Sequence, residues 1–325
     1  MAFKKKNNFQ NFSSGSVVRK TGKVFPVLIT VAIVVSVLFV SVFFTVKIIR
    51  SRLNNSLSIT ALVEKWKEYD YEECYNISRQ ILEEKPFNNT ALTYHGYSSF
   101  FLAVSQIDTS LAQGYLDESI NSMRLALYNG RKSLKPQLEY MLGKAYFYKN
   151  TITSYYYSDL AIKYLNMARE DDYKADDIAE YLGLSYANLN KPMESISAFT
   201  EALIVRESPA LLLSIAEQYY KVNQSAAAKQ YLFRIKKDST DDFLVLKSMN
   251  LLGTIYLDEK NYTEAKKEFD SILEKNPNSA DAYYGLGVIY EKQGDLVKAR
   301  AEWRKALKYQ INHAPTLAKI ASYGK

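Results

Sequence analysis

Residues 250–277, NLLGTIYLDEKNYTEAKKEFDSILEKNP, and residues 284–311, YGLGVIYEKQGDLVKARAEWRKALKYQI, align without a gap at an offset of 34 residues. Leu252, Gly253 and Tyr256 stand over Leu286, Gly287 and Tyr290, Ala265 over Ala299, Phe269 over Trp303, and Pro277 over Ile311. Self-similarity at a fixed period of this length marks an array of stacked supersecondary units. Met249, Leu252 and Tyr256 recur at helical spacing, so they share one face of a helix, and that face must be buried. Gly253 lets a neighbouring helix approach closely, and Ala265 is small where two helices cross. Phe269 fills the space between them, and Pro277 stops the second helix.

The order L-G-x-x-Y, then A-x-x-x-F, then P resembles the tetratricopeptide repeat, a helix-turn-helix unit of about 34 residues. The resemblance implies structural roles for Gly143, Gly183, Gly253, Tyr256, Ala265, Phe269, Pro277, Gly287, Tyr290, Ala299 and Trp303. Upstream, the same slots are filled by Leu182, Gly183, Tyr186, Phe199 and Ala202, and then by Ala216, Tyr219, Ala228 and Ile235. Leu142, Gly143 and Tyr146 open an earlier unit, whose Ala161, Leu165 and Ala168 are displaced by a six-residue insertion containing Tyr155, Tyr156 and Tyr157. Another unit runs from Gly96 to Ala126 and Leu127, with a longer insertion between Ser105 and Tyr115. The first holds Tyr71, Cys74, Ile81, Leu82 and Pro86. Starts at Asn55, Asn89, Pro136, Asp176, Pro209, Leu246 and Ala280 make seven units. Ala314 to Ser322, with Leu317 and Ile320, reads as the solvating end helix that such arrays need.

The 23 residues from Val24 to Val46 carry no charge, enough for about 34 Å of helix, and they predict a single transmembrane helix. A cleaved signal peptide fits less well, because its apolar region runs to only about 7–15 residues and ends at a small-residue cleavage site that is absent here. Lys4, Lys5, Lys6, Arg19, Lys20 and Lys23 precede the span, and Lys47, Arg50 and Arg52 follow it. The excess before it places the N-terminus in the cytoplasm and the body outside. The expected fold class is therefore all-α: one N-terminal transmembrane helix, then a right-handed tetratricopeptide α-solenoid of about seven helix-turn-helix units. The expected divisions are a basic, disordered cytoplasmic tail at 1–23, the span at 24–46 and a juxtamembrane connector at 47–57. The repeat array follows at 58–313, with a capping helix and tail at 314–325.

The net charge of +7 comes from those flanks, since the chain from residue 53 onward has 33 bases against 35 acids. That balance removes the nucleic-acid reading of a high isoelectric point. Cys74 is the only cysteine, so no intrachain disulfide is possible. Its slot asks for a small residue, and a buried apolar role suits it better than a reactive thiol. His95 and His313 are the only histidines, and neither stands in a catalytic or metal-ligand motif. The run YGLGVIY around Gly285 and Gly287 lacks the third glycine of a nucleotide-binding turn and belongs to a repeat helix. N-x-S/T triplets at Asn76, Asn223 and Asn261 decide no compartment. No enzyme activity, cofactor, metal or small-molecule substrate is expected.

The resemblance implies that the first helix of each unit lines a concave groove that binds proteins or peptides. On those helices, the stripe left over from packing holds Tyr97, Phe100 and Phe101, then Tyr140, Lys144, Phe147 and Tyr148. It continues as Glu180, Leu184, Leu213, Glu217 and Tyr220. The aromatic part suits peptide or helix capture, and the middle is more acidic. A structural reading competes, because 27 tyrosines leave many to pack between helices. The Lys and Asn clamp of chaperone-binding relatives is not found, which disfavours a cytosolic co-chaperone. The leading expectation is a membrane-anchored scaffold in the bacterial envelope, with a periplasmic repeat domain that positions an assembly. In architecture it resembles anchored bacterial repeat proteins of secretion, outer-membrane biogenesis and motility, including those of a periplasmic flagellar collar. The alternatives are a translocon-associated holdase for exported chains and an organelle import receptor with cytosolic repeats.

Overall fold

The structure, a computed structural model, describes residues 34–48 and 58–323. The predicted tail at 1–23, the first part of the predicted span at 24–33 and most of the connector lie outside the described residues. The chain divides into two compact units, Met1–Ala61 and Leu62–Lys325. In the first, helix α1 (34–48) displays exposed apolar side chains, Phe39 and Phe43 among them. Its 15 described residues make about 22 Å of helix. Among the described residues, no helix is long and apolar enough to cross a membrane.

The second unit is a helical solenoid, and no strand occurs among the described residues. Its helices follow in pairs, beginning with α2 (Ile59–Lys67), whose first turn lies at the unit boundary, and α3 (Tyr71–Glu84). Next come α4 (Asn89–Ser105) with α5 (Thr109–Asn129), α6 (Lys135–Ile152) with α7 (Ser158–Glu170), and α8 (Ile178–Asn188) with α9 (Pro192–Val205). The last pairs are α10 (Pro209–Lys221) with α11 (Ser225–Asp238), α12 (Asp242–Asp258) with α13 (Tyr262–Lys275), and α14 (Ala280–Lys292) with α15 (Leu296–Tyr309). Helix α16 (Ala314–Ser322) closes the array against α15.

The slots read from the sequence account for this packing. Ala265 and Ala299 are fully buried where paired helices cross, and Phe269 and Trp303 are the large side chains between them. A Cβ built on Gly253 would stand 2.7 Å from the Phe269 ring, and one on Gly287 would strike the Trp303 indole. Glycine is therefore required by close approach of the facing ring, whatever its backbone angles. Helix α13 ends at Lys275, and Pro277 follows two residues later, where it cannot continue the helix.

The turns inside the pairs recur with the same geometry. Tyr69, Asn190, Asn223, Lys260 and Gly294 all have φ between 53° and 85°. The next residue in each case returns its N–H to a carbonyl near the end of the first helix, as Asn261 does to Tyr256 at 2.8 Å and Asp295 to Tyr290 at 2.9 Å. This is the left-handed helix stop in which the chain turns sharply and satisfies a free carbonyl. Asp70, Asn261 and Asp295 then cap the second helix with their side chains. The second and third units depart from this, at the two insertions read from the sequence. The first insertion lengthens α5 to 21 residues. The second forms the loop after α6, where Tyr155 and Tyr156 are exposed.

Candidate protein-binding groove

The first helices of adjoining units pack on one another: α4 on α6, α6 on α8, α8 on α10, α10 on α12 and α12 on α14. This crowding puts them on the inner wall of the solenoid, so the groove side chains are those on their free stripe.

The structure corrects the aromatic end of the predicted stripe. Tyr97 and Phe100 are 4% and 3% exposed, in the core with Leu116, Met123 and Met141, so neither lines a surface. Helix α4 carries no Asp, Glu, Lys or Arg and buries residues all round its circumference, small polar ones such as Thr93, Ser98 and Ser99 among them, so it is enclosed rather than half-solvated. Phe101 is half-buried, stacked on Tyr71 at 4.5 Å and beside Trp66 at 5.9 Å.

The next residues of the stripe are brought together, but mainly onto each other. The Tyr140 hydroxyl donates to Asp177 at 2.7 Å, and the Lys144 ammonium donates to the same carboxylate at 2.9 Å. Lys144 also lies over the rings of Tyr140 and Tyr181, at 5.1 and 4.8 Å. The Tyr148 and Tyr181 hydroxyls are 3.1 Å apart, and Phe147 meets the Tyr181 ring edge-on at 5.0 Å. Burial, followed by the bond to Asp177, pushes the Tyr140 hydroxyl far above the usual phenol range. This cluster clamps α6 to α8.

Farther along, Glu180 pairs with Arg206 at 3.4 Å, and the Tyr220 hydroxyl donates to Asp258 at 2.6 Å. Burial and then Asp258 push that hydroxyl up to about 12. Glu217 differs from these. Its side chain makes no hydrogen bond or ion pair with any described residue. It is exposed to the groove yet ringed by protein, and burial raises its carboxyl above the usual range, opposed by Lys247 and Lys221.

Two cavities adjoin at this place. The first, of about 360 Å³, is lined by Glu217, Leu246, Lys247, Asn250, Thr254 and Asp281, with others from α13. The second, of about 330 Å³, shares Asn250, Thr254 and Asp281 and adds Leu257, Tyr284 and Val288. The half-buried Asn250 amide has no side-chain partner among the described residues. Apolar walls with a few free polar groups are the general form of a ligand site. Lys247, Asn250, Thr254 and Asp281 were not among the residues the stripe identified. Continuing the i, i+3, i+4 spacing into α12 finds the first three directly, whereas Asp281 enters through the packing of α14.

The two histidines hold helices together. His313 is buried, with Nε2 2.9 Å from Asp281 and Nδ1 2.7 Å from the Thr316 hydroxyl. Both ring nitrogens are thus partnered, and the contacts tie α16 to α14. His95 lies between Ser78 at 3.0 Å and Glu118 at 3.3 Å, and burial holds its imidazole below the usual range against the pull of Glu118. Burial pushes the Cys74 thiol up to about 11. Among the described residues, no three side chains of metal-ligating type come together.

The helix pairing, the slot residues and the 34-residue period define a class, and the comparisons agree with it: residues 250–314 match the tetratricopeptide repeat family. Residues 250–314 therefore carry tetratricopeptide repeats, and the helix pairs that precede them follow the same pattern. It is 29% identical over 143 residues to anaphase-promoting complex subunit CDC16 of Saccharomyces cerevisiae, covering 42% of this chain and 17% of that one. It is 25% identical over 130 residues to Superkiller protein 3 of Schizosaccharomyces pombe, covering 38% of this chain and 9% of that one. The matches thus span under a fifth of either relative's length. In fold, the chain is similar to the C-terminal part of a TPR repeat-containing protein from Cytophaga hutchinsonii, with a TM-score of 0.58, 13% identity, and coverage of 80% of this chain and 98% of that chain.

Proposed function

We propose that this chain is a protein-binding scaffold that takes an extended segment of a partner protein into the groove over α10, α12 and α14. One observation carries the reading: a carboxylate, Glu217, and an amide, Asn250, both without a side-chain partner among the described residues, stand in adjoining cavities on the inner wall of a fold whose family binds proteins. The aromatic cluster of α6 and α8 supports the groove and is not its mouth. The chain is tethered by the uncharged run at 24–46, and the larger number of bases before that run supports a cytoplasmic N-terminus and an extracytoplasmic array. In a bacterium the array then stands in the periplasm and positions components of an envelope assembly.

The test is photo-crosslinking in the native cell from a probe at Asn250, with a second at Tyr148, followed by mass identification of the adducts. A few discrete extracytoplasmic adducts from position 250, weak or absent at position 148, are expected. A smear of unrelated unfolded chains would replace the scaffold by a holdase. Accessibility of an added cysteine at Ile204, which is 84% exposed, reports the side of the membrane. Labelling only from the cytosol would overturn the extracytoplasmic placement.

A further inference from the structure

We infer that the groove selects partners carrying a lysine or arginine, whose cationic side chain is set against Glu217 while Asn250 holds the neighbouring peptide unit. This rests on the groove reading above and adds the chemistry of the ligand.

Other carboxylates of the inner wall are satisfied within the chain. Asp177 is bonded by Tyr140 and Lys144, Glu180 by Arg206, and Asp258 by Tyr220. Asp281 meets His313, and Glu291 meets Lys319 at 2.7 Å. Each is neutralised or hydrogen-bonded inside the chain. Among the described residues, Glu217 has no such partner. Two cations act on it through space, Lys221 and Lys247, but neither comes within ion-pair distance. The Lys247 ammonium lies over the Phe243 ring at 5.0 Å instead. A carboxylate that lines a cavity with no cation at ion-pair distance is open to an entering one.

The surroundings suit an extended chain. Asn250 stands where the two cavities meet, and its side chain carries one acceptor and an NH₂ donor group, the complement of a peptide N–H and C=O. Leu246 on one side and Leu257, Tyr284 and Val288 on the other provide apolar walls for the side chains next to the cation. An acidic side chain in the same place would face the Glu217 carboxylate with like charge, an effect that Lys247 and Lys221 partly offset.

The experiment uses the full chain in detergent on an array of randomised nine-residue peptides whose central residue is lysine, arginine, norleucine, citrulline or glutamate. Lysine and arginine peptides are expected to be captured about ten-fold better than norleucine and citrulline ones, the scale of one partly screened ion pair. Glu217→Gln should abolish that preference and keep the remaining capture. Glu217→Lys should shift the preference to glutamate, a gain that misfolding cannot imitate. Asn250→Ala should weaken all peptides alike. A basic preference that survives Glu217→Gln, or capture without any central preference, would overturn the inference and leave the groove reading standing. Capture undiminished in Thr254→Trp, which fills the junction of the cavities, would overturn the groove reading itself.

Discussion

Tyr140 of α6 and Asp177, which immediately precedes α8, are joined by a 2.7 Å hydrogen bond across 37 residues of sequence, with Lys144 on the same carboxylate. The pair turns what looks like a binding stripe into a brace between units. Tyr140→Phe should therefore lower stability by about 1 kcal/mol, the usual worth of one such bond, and leave peptide capture unchanged. Urea melts followed by circular dichroism, together with the same peptide array, check both halves. A ten-fold loss of capture in the folded variant would return the aromatic cluster to the binding site.

Gly253 faces the Phe269 ring so closely that an added methyl has no room. Gly253→Ala is expected to cost about 1–3 kcal/mol through overpacking. Phe269→Leu should cost stability by itself, and the double variant should lose less than the two single losses combined, because the smaller side chain vacates the space. Strict additivity in a double-mutant cycle would show that the ring is not what excludes the methyl.

Lys260 occupies the left-handed position that Gly294 fills one repeat later. A non-glycine side chain there costs about 1 kcal/mol. Lys260→Gly is expected to raise the thermal midpoint, and Gly294→Ala to lower it, in parallel differential scanning calorimetry runs. No change in either would remove the turn from the energetics of the array.

Glu139 is fully enclosed, and its nearest cation, Lys135 at 3.4 Å, is bonded more closely to Asp171 at 2.6 Å. Burial raises the Glu139 carboxyl above its ordinary value, with Lys135 opposing. The folded state therefore holds this proton to higher pH than the unfolded state, and stability falls as pH rises from the ordinary carboxylate range through the raised value. The slope from one such group cannot exceed about 1.4 kcal/mol per pH unit. Glu139→Gln should be more stable than wild type at pH 7.5 and gain less on acidification to pH 5, measured by urea melts at both values. A variant less stable than wild type at pH 7.5 would mean that the carboxylate is satisfied in the fold.

Much of the fold was legible because the repeat leaves its mark at every helix crossing. Gly253, Ala265, Phe269 and Pro277 each answer to a local steric need, and their counterparts at Gly287, Ala299 and Trp303 answer to the same one. The insertions were visible as interruptions of the period, but not their form, since added residues can extend a helix, as in α5, or leave it as a loop, as at Tyr155. The candidate site was less legible. Tyr97 and Phe100 have the spacing of groove residues, and their burial arises from the contacts of α4 with its neighbours.

The sequence by itself determined the helix-turn-helix period, the residues that let the helices touch and the uncharged run ahead of the array. Those depend on spacing along one chain segment and on side-chain size. Only the tertiary structure decided which polar groups of the inner wall remain available. Tyr140 is satisfied by Asp177, Tyr220 by Asp258 and Asp281 by His313, each from the next unit, 32 to 38 residues away. Among the described residues, no comparable neighbour reaches Glu217 or Asn250, and that distinction arises from how one unit is set upon the next, which no single helix encodes.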